Sequence, residues 1–199
     1  PVNEIQEAIA SGQTLFGENR VQEAKEKFTT LFDTNPSIQL HIIGQLQSNK
    51  VKNAVSLASC IQSLDRLDLL KEIEKQASKI NKQIEVLFEL HTGEESKSGY
   101  QTLEELEESL EYCASGQTPH VLPKGFMTMA PFTSDESLIR KSFITLREAS
   151  EEMKKNFPQF SLDELSMGMS GDFEIAIEEG STLVRVGTAI FGERDYSKK

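Results

Sequence analysis

The sequence predicts an α/β fold, a (β/α)8 TIM-type barrel whose first strand lies upstream of Pro1, and three observations lead there. Short β-branched runs alternate along the whole chain with stretches whose apolar residues recur three and four apart, the order of parallel β-α units in one sheet. The runs number about seven, one short of a barrel. The chain opens on a helical pattern, as it does when a strand precedes it. Short right-handed crossovers favour closure, with an open doubly wound sheet as the alternative.

The elements follow in order. Val2 to Ser11 sets Val2, Ile5, Ala8 and Ile9 on one side and stops at Gly12, which predicts a helix, and Thr14 to Gly17 follows as a strand. A helix over Arg20 to Phe32 comes next. Asn35 and Pro36 break the chain ahead of a strand at Gln39 to Ile43 and a helix at Ser48 to Leu57. Cys60 to Ser63 reads as a strand, Asp65 as the N-cap of a helix running through Lys82, and Glu85 to Leu90 as a strand. The polar loop His91 to Gly99 leads to an acidic helix at Leu103 to Ala114 and a strand at Gly125 to Met129. Ser134 and Asp135 start a helix that runs to about Asn156. Leu165 to Met169 is a strand, Asp172 to Glu179 a short helix, and Leu183 to Val186 the last strand. No longer repeat, low-complexity stretch or linker interrupts the series, so residues 1–199 read as a single domain.

Composition bounds the function. The 199 residues are 37% hydrophobic and 27% charged, enough for one sizeable core. A net charge of −11 repels a polyanion, and no Lys/Arg cluster reverses it, which excludes nucleic acid as a partner. No apolar run approaches the roughly 20 residues that cross a bilayer, and no apolar signal opens the chain, so no membrane partner is expected and a cytoplasmic location is. Cys60 and Cys113, one in a strand and one in a helix, read as two reduced core thiols. Because the sequence begins with Pro1 rather than Met, the natural N-terminus is expected further upstream.

The stretch from Ser166 to Gly192 carries the chemistry. In a barrel, the loops after the last two strands, with the N-terminus of a short extra helix, commonly form a phosphate site. Here Ser166-Met167-Gly168-Met169-Ser170-Gly171-Asp172 leaves a strand and enters a short helix, bringing the Ser170 hydroxyl beside free backbone N–H groups that favour anions. Leu183-Val184-Arg185-Val186-Gly187-Thr188-Ala189 leaves the last strand, and Gly187 lets a ligand oxygen approach the backbone. Either turn alone is equally a cap or a plain turn. Strand alternation puts Arg185 on the face opposite Val184 and Val186, toward the barrel mouth, where the guanidinium needs a ligand or a carboxylate partner.

At these residues the sequence resembles the pyridoxal-phosphate homeostasis protein family, single-domain relatives of the alanine racemase N-terminal barrel. The matching stretches are Phe16-Gly17-Glu18-Asn19-Arg20-Val21-Gln22-Glu23, His41-Ile42-Ile43-Gly44-Gln45-Leu46-Gln47-Ser48-Asn49-Lys50, Gly93-Glu94-Glu95-Ser96-Lys97-Ser98-Gly99, Gly125-Phe126-Met127-Thr128-Met129-Ala130 and Leu165 to Gly192. The resemblance implies an alanine racemase N-terminal domain-like fold and pyridoxal 5′-phosphate as cofactor. It implies that Ser170, Gly187 and Thr188 bind the phosphate, that Arg185 faces the pyridine nitrogen, and that Asn19, His41 and Met169 line the ring pocket. The family's Schiff-base lysine belongs at the end of the first strand, upstream of Pro1 and so absent from this chain; neither Lys50 nor Lys97 takes its place, and no catalytic residue is assigned.

The function so implied is a monomer that buffers or delivers the cofactor in vitamin B6 and amino-acid homeostasis, with apo forms of enzymes that use it as recipients. An arginine that does not readily give up its proton weakens the pyridine ring as an electron sink, so binding without strong catalysis is expected. A racemase or lyase using the same cofactor is the alternative, and a barrel that binds another phosphorylated metabolite is a third.

Other residues carry less. His41, His91 and His120 have no ligand spacing, so no metal is expected. His41 shares a strand face with Gln39 and Ile43 and is either a pocket residue or a hydrogen-bonded core histidine. The Glu94 to Gly99 loop reads as a solvated turn rather than an acid/base pair, and Glu104, Glu105, Glu107, Glu108 and Glu111 as the wet face of a helix. Tyr100 and Tyr112 have no partner in the pattern that makes either an acid.

Overall fold

The computed structural model describes residues 2–93 and 98–192. Helix α1 (Val2–Ala10) leads into strand β1 (Leu15–Glu18), and α2 (Val21–Thr34), β2 (Gln39–Ile42), α3 (Val51–Leu57), β3 (Cys60–Leu64), α4 (Leu67–Lys79) and β4 (Ile84–Glu89) follow. The second half runs α5 (Leu103–Ala114), β5 (Val121–Met127), α6 (Glu136–Asn156), β6 (Glu164–Met169), α7 (Phe173–Glu178), β7 (Leu183–Arg185) and α8 (Thr188–Phe191). The seven strands are parallel and ordered β1-β2-β3-β4-β5-β6-β7, a nearly closed barrel of β-α units with β1 and β7 at the two edges. That is the expected architecture, and the open doubly wound alternative, whose strand order reverses, is set aside.

The alternation of each strand divides the molecule into two layers. Phe16, Leu40, Ile42, Ile61, Val86, Phe88, Phe126, Leu165 and Met167 turn outward and join helix residues such as Phe28, Leu70, Leu110 and Phe143 in one continuous core. Cys60, Leu87 and Met127 turn inward and form a second, small apolar cluster against Met129. Above that plug, the same strand faces carry His41, Gln62, Glu89, Ser166 and Arg185. The interior is thus apolar near the middle of the strands and polar toward their C-terminal ends, where barrel sites form. Both thiols are free and buried, and burial pushes Cys60 well above the usual range and Cys113 up to about 11, so both stay protonated.

Several boundaries differ from the sequence expectation for identifiable reasons. Asp65 is not an N-cap: extended Arg66 precedes α4 without a side-chain cap, and the Asp65 carboxylate instead holds the Arg66 guanidinium. The helix stops at Lys79 because Asn81 takes a positive φ of 49° just beyond it, as asparagine tolerates. Lys82 lies outside it and donates to the carbonyls of Val55 and Ala58, at 2.8 and 2.7 Å, satisfying the C-terminal end of α3. Strand β5 begins at Val121 and includes Pro123, which is tolerated because pairing with β6 starts only at Gly125. The first turn expected in α3 is a 3-10 turn at Ser48–Lys50. Among the described residues no helix is long and apolar enough to cross a membrane.

Candidate functional site

Two turns at the C-terminal ends of β6 and β7 meet. Gly168 takes a φ of +95°, and a Cβ there would lie 2.6 Å from the Ala176 Cβ, so only glycine lets α7 seat this tightly on β6. The Met169 N–H then donates to Asp172 Oδ1 at 2.6 Å and the Asp172 N–H to the Met169 carbonyl at 3.1 Å, closing a tight turn that carries Ser170. Ser170 Oγ accepts from the Gly187 N–H at 3.1 Å and the Ala189 N–H at 3.3 Å. These donors belong to the start of α8, not to the helix after Ser170 as the sequence suggested. The extra helix that barrels use at such sites is α8 itself, four residues long and invisible to periodicity. Thr188 opens it and is exposed, and a Cβ built on Gly187 meets no atom within 4 Å, so the space beside this backbone is open.

Arg185 points into the barrel, as alternation along β7 requires. One guanidinium nitrogen donates to the Ser166 carbonyl at 2.8 Å and to Ser166 Oγ at 2.7 Å, and the other to the Thr128 carbonyl at 2.7 Å. Its partners are neutral oxygens; among the described residues no carboxylate pairs with it. The internal ion pair that the sequence left open is therefore not what holds it. Burial lowers Arg185 from its ordinary value to about 10, against the pull of Glu89 and Asp172, and leaves it charged at neutral pH.

From Arg185 a hydrogen-bonded chain crosses the barrel. Ser166 Oγ donates to Gln62 Oε1 at 2.6 Å, and Gln62 Nε2 lies 2.8 Å from His41 Nδ1. His41 is buried on the inner face of β2, and burial lowers it to about 4, which keeps it neutral. Of the two alternatives the sequence posed, the hydrogen-bonded buried histidine describes this side chain. Nearby, Glu89 is 2% exposed at the end of β4. Its Oε1 accepts from Ser98 Oγ at 2.7 Å, and its Oε2 is buried without a partner among the described residues. Burial raises Glu89 to about 7, opposed by the Ser98 hydrogen bond; Asp65 adds to the rise and Arg185 offsets part of it.

The structure thus brings Ser170, Gly187, Thr188 and Met169 to one rim and ties Arg185 to His41 beneath it. Met169 is 37% exposed as the last residue of β6. Asn19 is exposed just past the end of β1, outside this network. Its carbonyl packs so closely on Gly44 that a Cβ there would lie 2.4 Å away. Sequence reasoning missed Gln62, Ser166 as a side chain, and Glu89. An amide in the short strand Cys60-Ile61-Gln62-Ser63-Leu64, buried along its whole length, was the available signal. The other sequence candidates lie elsewhere: His120 pairs with Glu74 at 2.8 Å, and Tyr100 donates to Ser109 at 2.8 Å. Glu104, Glu105, Glu108 and Glu111 are exposed and Glu107 partly so. Residues 94–97 fall outside the described residues. A depression lined by Gln39, Ser59, Lys82 and Glu85 sits at the opposite, N-terminal end of the strands and has no part in this site.

The comparisons with known proteins agree on one family. The sequence model of the alanine racemase N-terminal domain matches residues 2–195. A pyridoxal phosphate homeostasis protein of Aquifex aeolicus strain VF5 is 42% identical over 196 residues, covering 98% of this chain and 84% of the relative. Its counterpart in Escherichia coli K12 is 38% identical over 204 residues, covering 100% and 84%. Among solved structures, PipY of Synechococcus elongatus PCC7942, with PLP bound, has a TM-score of 0.87 at 34% identity, covering 96% of this chain and 88% of that one. Alanine racemase of Clostridium difficile 630 has a TM-score of 0.77 at 12% identity over 96% of this chain and 48% of that one, a likeness of fold alone. The chain belongs to the alanine racemase N-terminal domain family, in the branch whose curated members are named pyridoxal phosphate homeostasis proteins.

Proposed function

We propose that this protein binds pyridoxal 5′-phosphate at the C-terminal ends of β6 and β7 and buffers or delivers it in vitamin B6 and amino-acid homeostasis, without strong catalysis of its own. One observation carries the reading: the Ser170 hydroxyl and the Gly187 and Ala189 amides converge within hydrogen-bonding distance, two residues along the chain from the half-buried Arg185 guanidinium, which among the described residues is held by neutral oxygens. The residues present fit the group. Ser170, Gly187 and Thr188 supply hydroxyl and amide donors for a phosphate, with open space beside Gly187, and Arg185 supplies a fixed donor for the pyridine nitrogen. Asn19, His41 and Met169 are the residues that would border its ring. The cofactor, when bound, supplies an aldehyde that condenses with amines and a ring that withdraws electrons. Arg185 holds its own proton at that nitrogen and so tempers the withdrawal. The protein acts as a cytoplasmic monomer of one domain, and apo enzymes that need the cofactor are its recipients.

Titration of the protein with pyridoxal 5′-phosphate tests this. Induced circular dichroism in the cofactor's absorption band should saturate, and Ser170→Ala should weaken binding roughly 10- to 100-fold, as expected for a lost hydrogen bond to a charged group. No saturable signal, or unchanged affinity in Ser170→Ala, refutes the reading. Exchange of the α-hydrogen of free amino acids in heavy water, followed by NMR, separates binding from turnover; fast exchange would assign the site to a racemase or lyase instead.

A further inference from the structure

We propose that Gln62 and Ser166 are positioning residues of the cofactor site: they form a one-way hydrogen-bond chain that clamps Arg185 and fixes His41 as its Nε2–H tautomer. The inference rests on the proposed function for its link to the cofactor, but the chain itself follows from the chemistry of its members. Arginine only donates, so Ser166 Oγ, 2.7 Å from Arg185, accepts there. The Ser166 proton has one remaining partner, Gln62, 2.6 Å away. Ser166 and Gln62 are 0% and 1% exposed, so water does not stand in for a missing acceptor, and Gln62 must present its carbonyl oxygen to Ser166. That turns its NH2 group toward His41 Nδ1 at 2.8 Å, and Nδ1 must offer a lone pair. The histidine proton therefore resides on Nε2.

Each direction is set by the one before it, beginning with a cation. Flipping the Gln62 amide leaves the Ser166 proton facing N–H donors inside a dry interior. The chain also acts backward on Arg185. Three of its five N–H groups are bound to the Ser166 carbonyl, Ser166 Oγ and the Thr128 carbonyl, which fixes the guanidinium plane and leaves two donors for a ligand. Losing Ser166 Oγ or its anchor Gln62 lets that plane rotate, so the donor meant for a ring nitrogen is misdirected while the phosphate grip at Ser170 stays intact.

The test reads His41 directly, by long-range ¹H–¹⁵N NMR of the ligand-free protein. The unsubstituted chain should show Nε2 protonated and Nδ1 bare. Gln62→Glu places an acceptor-only carboxylate between Ser166 and His41; Nδ1 should then become protonated and the His41 titration midpoint rise by at least one pH unit. Ser166→Ala, a milder change, should release the amide and give a mixed tautomer. An Nδ1–H tautomer in the unsubstituted protein, or no change in either variant, overturns the chain. In protein loaded with pyridoxal 5′-phosphate, Ser166→Ala should shift the cofactor's absorption maximum, whereas Ser150→Ala, at a buried serine on α6 whose hydroxyl has no partner among the described residues, should not. Equal spectra for both would overturn the positioning role even if the tautomer result holds. Failure of any cofactor to bind, with the tautomer result intact, would sink the proposed function and that role together while leaving the hydrogen-bond chain standing.

Discussion

Burial inside the barrel moves two side chains in opposite directions, His41 down to about 4 and Glu89 up to about 7, and the two have opposite effects on stability. Between pH 4 and 6.5 the unfolded chain binds the His41 proton and the folded chain does not. Its contribution is therefore present above pH 6.5 and lost as pH falls toward 4. Glu89 is the reverse: the folded chain keeps its proton between pH 4.5 and 7, so its contribution is present below pH 4.5 and lost as pH rises through 7. In the overlap the two slopes offset one another. Glu89→Gln keeps shape and removes the charge, so it should stabilise the protein above pH 7 by about 3.5 kcal/mol, about 1.4 kcal/mol for each pH unit between 4.5 and 7, and leave it unchanged below pH 4.5. Denaturant unfolding at pH 4 and pH 8 measures the difference. A gain of the same size at both would mean that something other than the buried charge is responsible.

Single elements show which parts of the sequence could be read in advance. The β-α alternation was legible because apolar periodicity is local, and so were Ser170, Gly187 and Arg185, which sit in turns and a strand whose chemistry is written in neighbouring residues. The misses arise where tertiary context decides. The strand expected from Gly125 begins at Val121, since Pro123 precedes the stretch that pairs with β6, and Arg66 displaced Asp65 from the cap. Gln62 and Ser166 are 104 residues apart, and no local pattern joins them. Gly168 and Gly187 look alike in the sequence but differ in kind. Gly168→Ala forces a side chain into a φ of +95° and against Ala176, so it should destabilise the protein by about 2–4 kcal/mol. Gly187→Ala meets open space at a φ of −118° and should cost less than about 1 kcal/mol, yet weaken pyridoxal 5′-phosphate binding by roughly tenfold or more by blocking close approach to its amide. Paired unfolding and binding curves decide it; similar stability losses for both would show that Gly187 too is structural.

At the scale of the whole molecule, the proposed phosphate site joins the two strands at one end of the sheet order, since Ser170 follows β6 and its donors follow β7. Strand β7 is three residues long and among the described residues pairs only with β6, so a ligand held by both turns ties the sheet's edge to its neighbour. A ligand that binds only the folded chain stabilises it by RT ln(1 + [L]/Kd), about 2.7 kcal/mol at a hundredfold excess over Kd. In a protein of this size that corresponds to a rise in Tm of roughly 5–10 °C. Pyridoxal 5′-phosphate should produce this shift, and pyridoxal, which has the ring and aldehyde but no phosphate, should produce less than about a quarter of it at the same concentration, because the donors at Ser170, Gly187 and Thr188 would go unused. The net charge of −11 sharpens the contrast. General electrostatics disfavours the dianion, so a larger shift with the phosphorylated form has to come from the local donors. Equal shifts with both compounds would place the binding energy in the ring contacts and leave the two converging turns as no more than the joint between β6 and β7.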